Sequence, residues 1–312
     1  MLRRDVLFLM TASLAAAPLP VPAAEGWPRV FANDDGTSTE IAAPPERILS
    51  GSVTLTGTLL AIGAPVVASG ATPHGGYFSQ WQEVAAARGV EPLWPAGAVD
   101  LEAAWAIAPD LIVIASSGAD SALAQRAQLE AVAPVVVLDY SDQPWQEVTR
   151  KLGVATGTEA GAEATLQSFA EELAATRDAI EVPPGGANIV SYNGRGAPNP
   201  ISTPDSPQAQ LLAALGFEIE APDPAWAGPG GMIGHYVRAE YEHLTGLQAG
   251  TTFLLAAGPE RAAEFLGDPL LAALPSVKAG RVTGLGPTSF RIDPYSARDV
   301  LAVVRDAYGR DR

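Results

Sequence analysis

An internal repeat limits this chain more than any other feature. Residues 102–118, "EAAWAIAPDLIVIASSG", align without a gap on residues 242–258, "EHLTGLQAGTTFLLAAG". Each copy opens on a glutamate, runs through an apolar strand and ends at a glycine. Before each copy stands a strand, a polar loop and an apolar helix: "RILSGSVTLTGTLLAIGAPVV" (47–67) and "NIVSYNGRGAPNPISTPDSPQAQLLAALGF" (188–217). After each comes a similar turn, "LEAVAP" (129–134) and "LLAALP" (270–275). Three matched pieces in one order indicate a duplicated unit, hence two lobes built alike.

Within the first unit, "RILS" (47–50), "PVVASG" (65–70), "APDLIVIASSG" (108–118) and "PVVVLDY" (134–140) read as buried strands. Helices are expected between them, at 54–63 and 121–133. Apolar strands alternating with helices predict a parallel sheet in an α/β layer arrangement, a Rossmann-like lobe. From Thr158 to Glu181 there is no proline, and Leu166, Phe169, Leu173 and Ile180 recur at helical spacing. Pro183-Pro184-Gly185-Gly186 stops that helix, which at about 23 residues would be roughly 35 Å long. The expected organisation is a signal at 1–24, an N-terminal lobe at 25–155, a connecting helix at 156–184 and a C-terminal lobe at 185–312.

A chain of 312 residues can give each lobe its own core. With 47% hydrophobic residues it is too apolar for disorder. A formal charge of −16, with Lys151 and Lys278 as the only lysines, argues against nucleic-acid binding. Arg3, Arg4, the apolar run Val6–Ala17 and the small residues around Ala23 read as a cleaved export signal, and "RRDVLFL" is similar to a twin-arginine signal. That run is too short to span a bilayer. There is no cysteine to form a disulfide or carry a lipid. A soluble periplasmic protein is expected.

Ligands of open parallel sheets bind beyond the C-terminal ends of the strands. The expected rim is therefore Ser50–Thr54 with Ser52, the loop Thr72–Trp81, Ser116–Ser117, Tyr192–Thr203 and the stretch after "VTGLG" (282–286). G-x-x-x-x-G-K-[ST], G-x-S-x-G and H-E-x-x-H patterns are all absent, and the histidines are only His74, His235 and His243. What the rim offers is arginine and aromatic side chains. Arg291 lies in "TSFRIDPYSARDV" (288–300), Arg195 between two glycines, and Arg238 further on. Tyr77, Trp81, Trp94, Tyr192, Tyr236 and Tyr295 stand in or beside rim segments. Such a mixture suits a large, aromatic, anionic ligand.

The order "PERILSGSVTLTGTLLAIGAPVVASGA", "PDLIVIASSGADSAL", long helix, "TPDSPQAQLLAALGF", "TSFRIDPYSARDVL" resembles the periplasmic siderophore-binding proteins of ABC importers. The likeness covers about residues 29–305 and is strongest to binders of ferric enterobactin. It implies two lobes on a rigid helix, a ferric catecholate siderophore held in a shallow cleft without chemistry, no cofactor beyond that ligand, and a monomer delivering to a permease dimer. Arg291 matches the cleft arginine of the family's F-R-[IL]-D motif. Arg195 and Arg238 follow by position, with Tyr77, Trp94, Tyr192, Tyr295 and Ser52 beside them. Two departures count against enterobactin itself: Ser202 replaces an aromatic residue, and the loop "ATPHGGYFSQW" (71–81) is short. Relatives that bind linear catecholates complete iron coordination with a histidine and a tyrosine, which implies His235 with Tyr295 or Tyr236. The family docks on its permease through one acidic residue per lobe. Glu102 and Glu242 are the equivalent pair, with Glu240 as a neighbour in register. Haem or a corrinoid on the same fold, or hydrolysis of siderophore esters, are the competing readings.

Overall fold

The computed structural model describes residues 26–310; the expected signal at 1–24 lies outside the described residues. The chain enters through an antiparallel hairpin, β1 (Arg29–Ala32) and β2 (Ser38–Ile41). The N-terminal lobe follows as β3 (Ile48–Ser50), α1 (Val53–Ala61), β4 (Val66–Ala71), α2 (Gln82–Ala87), β5 (Glu91–Pro95), α3 (Leu101–Ile107), β6 (Leu111–Ala115), α4 (Arg126–Leu129) and β7 (Val135–Leu138). Its five strands are parallel, in the order β5-β4-β3-β6-β7. Every residue of β6 and β7 is buried. Val113, Val136 and Leu138 pack with α1, whereas Ile112, Ile114, Val135 and Val137 pack with Ala104 and Leu129 on the other face. Burial on both faces is why these strands read as continuous apolar runs.

The helix expected at 121–133 is much shorter. Ser121 donates its hydroxyl to the Ala115 carbonyl and accepts from the Leu123 amide, so a single 3-10 turn precedes α4. Pro134 then disfavours helical backbone at the residue before it. The hairpin is an element that hydrophobic spacing did not reveal. Asn33 Oδ1 accepts from the Val137 amide at 2.9 Å and Asp34 Oδ2 from the Asp139 amide at 2.8 Å, so side chains of the hairpin seal the exposed edge of β7.

Two helices lead across to the second lobe, α5 (Trp145–Thr156) and α6 (Glu159–Ala179). The C-terminal lobe comprises β8 (Ala187–Val190), β9 (Asn199–Ser202), α7 (Pro207–Ala214), β10 (Ala227–Ile233), β11 (Tyr236–Ala239), β12 (Thr251–Leu254), α8 (Pro259–Gly267), α9 (Pro275–Lys278), β13 (Val282–Gly284) and α10 (Pro294–Tyr308). Its strand order is β10-β11-β9-β8-β12-β13. Ile48 faces Leu111 in one lobe and Ala187 faces Thr251 in the other. Leu111 and Thr251 have the same separation in sequence as Glu102 and Glu242, so the gap-free repeat is a real structural register. The correspondence stops short of the whole lobe. Pro134 leads directly into β7 while Pro275 opens α9, and β9, β11 and β10 form an antiparallel arm where the first lobe has parallel β4 and β5.

The connecting helix is packed into both lobes. A Cβ on Gly161 would lie 2.1 Å from the Ile62 carbonyl oxygen, so only glycine permits this approach to the end of α1. Further along, Leu166 and Phe169 enter the core of the C-terminal lobe, where Phe169 meets Trp145 edge-on at 5.0 Å. Gly161→Ala must push α6 away from α1. The expected cost is about 1–3 kcal/mol, as for other overpacked contacts, visible as a lower urea midpoint; an unchanged midpoint would refute this close packing.

Candidate functional site

Arg291 is an expected rim residue whose side chain hydrogen-bonds to the opposite lobe. The loop that carries it is held by its carbonyls. Gln208, buried on α7, donates to the Ser289 and Phe290 carbonyls at 3.1 and 2.6 Å, and Ser296 Oγ donates to the Arg291 carbonyl at 2.7 Å. Tyr236 in turn donates its hydroxyl to Gln208 Oε1 at 3.1 Å and stacks on Phe290 at 5.9 Å. Thus fixed, Arg291 donates from Nη1 to the hydroxyl of Tyr140, which follows β7 of the N-terminal lobe, at 3.2 Å. Its guanidinium carbon lies 5.5 Å from the centre of that ring. The remaining N–H groups of Arg291 have no hydrogen-bond partner among the described residues.

Behind Tyr140 lies a buried acid. The Tyr140 hydroxyl donates to Asp120 Oδ1 at 2.6 Å, and Asp120 Oδ2 accepts from Ser52 Oγ at 2.6 Å and the Thr54 amide at 2.9 Å. Burial opposes ionisation of Asp120, yet the hydrogen bonds from Ser52, Tyr140 and Thr54 outweigh it and hold the carboxyl below its ordinary value. Burial, then the Asp120 charge, push the Tyr140 hydroxyl up to about 12. Gly118 makes room for this: at φ +86°, a Cβ there would lie 1.7 Å from the Tyr140 oxygen. A second crossing lies at the start of α10, where Gln80 Nε2 of the N-terminal lobe donates to Asp293 Oδ2 at 3.0 Å.

The other expected residues divide. Ser52 serves the cleft indirectly, capping α1 and anchoring Asp120 with no surface of its own. Arg238 shares a face of β11 with Tyr236 and has no ion-pair partner among the described residues. Tyr192 and Arg195 belong to one cluster on the C-terminal lobe. Tyr192 and Tyr241 both donate to Asp268, and the exposed Arg195 guanidinium sits 5.6 Å over the Tyr241 ring. Trp94 and Trp81 are not rim residues; they are 3% and 0% exposed, within the N-terminal core. Tyr77 packs on Trp81 and gives its hydroxyl to the Val90 carbonyl. Tyr295 packs toward the N-terminal core and lines a groove beside α6, so it does not face His235. His235 itself pairs with Asp205 at 3.3 Å, and Tyr236 spends its hydroxyl on Gln208. Among the described residues no three His, Cys, Asp or Glu side chains converge as a metal site. Glu102 and Glu242 are both exposed. Sequence reasoning missed Asp120, Tyr140, Gln208 and Phe290. Of these, Tyr140 carried a signal as the polar end of a buried strand, and Phe290 as the residue before Arg291 in its motif.

Two α/β lobes on a connecting helix, with a half-buried arginine where they meet, define a periplasmic binding protein. The chain belongs to that family, whose sequence profile matches residues 56–288. It is 39% identical over 304 residues to the ferric enterobactin-binding periplasmic protein FepB of Escherichia coli O6:H1 (strain CFT073), covering 94% of each chain. Among solved structures it is similar to holo-ViuP, with a TM-score of 0.86 and 48% identity over 91% of this chain and 96% of that one. Staphylococcus aureus SirA complexed with staphyloferrin B shares the fold, at a TM-score of 0.68 and 18% identity over 89% and 96% of the two chains.

The Asp120 network should show in acid. Because the folded carboxyl titrates below its ordinary value of 3.8, its contribution is complete above that value and is lost as pH falls through the lower folded one. Asp120→Asn should therefore be less stable than wild type at neutral pH and lose less on acidification, by denaturant unfolding at a series of pH values. Parallel acid profiles would mean that the carboxylate carries no such contribution.

Proposed function

We propose that this protein captures a ferric siderophore between its lobes and delivers it to an ABC importer, and that the ligand is an anionic catecholate. The observation carrying this reading is Arg291: a fixed guanidinium at the lobe junction with N–H groups to spare. Beside it Phe290 is 47% exposed, a large apolar ring at the surface of the same loop. An arginine next to an open aromatic face matches a trianionic complex wrapped in catechol rings. The similarity to FepB over nearly the whole chain supports the same cargo class. Arg238 and Arg195 are secondary contacts in this reading, Arg195 after leaving a station that binds it weakly. Glu102 and Glu242 are the permease contacts, one per lobe and equivalent by strand register. Export to the periplasm through the N-terminal segment completes the proposal. No helix among the described residues is long and apolar enough to cross a membrane. Binding and release form the whole cycle, with the siderophore recovered unchanged.

Tryptophan fluorescence titrated with ferric enterobactin, a linear ferric catecholate, a ferric hydroxamate and haem tests the cargo. Saturable quenching by a catecholate is expected, and a response to haem alone would overturn the proposal. In the same assay Arg291→Ala should lose about 1.5–3 kcal/mol of catecholate binding, the worth of a hydrogen bond to a charged group. Charge reversal at Glu102 and Glu242 should leave affinity intact and abolish iron uptake in cells; normal uptake would reject them as docking residues.

A further inference from the structure

Away from the cleft, where α1 ends, a groove of about 410 Å³ runs between the two lobes and the connecting helix. Its floor is made of alanines and glycines of α1 and α6, and its polar side chains include Arg88, Ser168, Tyr295 and Arg298. Three parts of the molecule meet there. Arg88 caps α2 of the N-terminal lobe, Ser168 belongs to α6, and Tyr295 and Arg298 belong to α10.

Of the two arginines, Arg88 is unengaged among the described residues, and Arg298 is partly engaged by its surroundings. The end of α1 would ordinarily attract positive charge through its free carbonyls. Here the carbonyls of Thr58, Leu59 and Leu60 accept from the amides of Ile62, Ala64 and Gly63, and that of Ala61 accepts from the Thr165 hydroxyl. Arg298 donates to the Pro294 carbonyl at 2.9 Å and to Ser168 Oγ at 3.4 Å and pairs with Glu172 at 3.2 Å, which leaves one N–H on each terminal nitrogen. Arg88 and the Tyr295 hydroxyl have no hydrogen-bond or ion-pair partner among the described residues. Burial raises the Tyr295 hydroxyl above its ordinary value and the Asp293 charge adds to the rise, while the charges of Arg88 and Arg298 oppose it, so both guanidiniums act on one oxygen. The groove lining itself holds two guanidiniums and no carboxylate: Glu172 pairs with Arg298 from outside it, and Asp293, behind Tyr295, is buried where its carboxyl is pushed toward the neutral form.

We propose that this groove binds a small polyvalent oxyanion of the phosphate type, held by Arg88 and Arg298 from opposite lobes with the Tyr295 hydroxyl as a further donor. Guanidinium groups match the oxygens of such an anion, and a ligand so held joins both lobes at the connecting helix. The site is independent of the cleft and of the cargo it carries.

Isothermal titration of the protein with inorganic phosphate, at ionic strength held constant with chloride, tests it. Saturable binding is expected, with a rise in Tm by linkage. Arg88→Gln should weaken it about ten- to a hundredfold, the worth of one charged hydrogen bond. Arg88 is exposed at a helix end, so this variant should keep its circular dichroism and its siderophore affinity. Tyr295→Phe, which removes only the hydroxyl, should weaken phosphate binding less than Arg88→Gln. No binding beyond chloride in the wild type, or equal phosphate binding in Arg88→Gln, would overturn the proposal.

Discussion

The close approach of Gly161 to the Ile62 carbonyl sets the distance between the connecting helix and the first lobe, and the second lobe inherits that distance. Leu166 and Phe169 plant the same helix in the C-terminal core, and α10 lies along it. The start of α10 then meets Gln80, and Arg291 just before it meets Tyr140. The magnitudes decide which contact is in charge. Burying a side chain such as Leu166 or Phe169 contributes about 1.5–3 kcal/mol, whereas a single hydrogen bond such as that from Arg291 to Tyr140 nets about 1 kcal/mol. Helix packing therefore holds the lobes in place. The bond from Arg291 to Tyr140 can break without the lobes losing their mutual orientation.

Much of this architecture was legible in the sequence because it rests on local or periodic signals. The long helix was marked by a proline-free stretch and a Pro-Pro-Gly-Gly stop. The central strands were marked by runs that must be buried on both faces. The repeat revealed the β6 and β12 registers because both are interior strands, paired on each side and buried on both faces, where packing allows least change. The hairpin of β1 and β2 left no such trace. Its strands are four residues each, and Asn33 and Asp34 fasten it to β7 by side-chain hydrogen bonds that have no periodicity. The helix expected at 121–133 failed for a similar reason, since Ser121 turned the chain back toward β6.

The lobe junction was legible in one residue and obscure in its setting. Arg291 stood in a recognisable motif, but its partner Tyr140 is 151 positions away along the chain, and no local pattern joins the two. Aromatic residues near strand ends misled most. Trp94, Tyr77 and Tyr295 have the composition of a rim, yet whether an aromatic faces solvent or core depends on what packs over it. Ser52 belonged to the correct segment and acts one step back, as the cap of α1 and the anchor of Asp120.

The antiparallel arm of the C-terminal lobe has a consequence of another kind. In the first lobe each flanking strand is bound to its neighbour by a helical crossover, so a change in its length disturbs a whole layer. In the second lobe β9, β11 and β10 form an antiparallel arm joined to the parallel centre through the pairing of Val190 with Ile201, and β10 already carries an irregularity between Ala227 and Met232. Residues can be gained or lost in that arm while β8, β12 and β13 keep their alignment. The arm can thus change length without disturbing the parallel centre of its sheet, a tolerance that the crossover-bound strands of the first lobe lack.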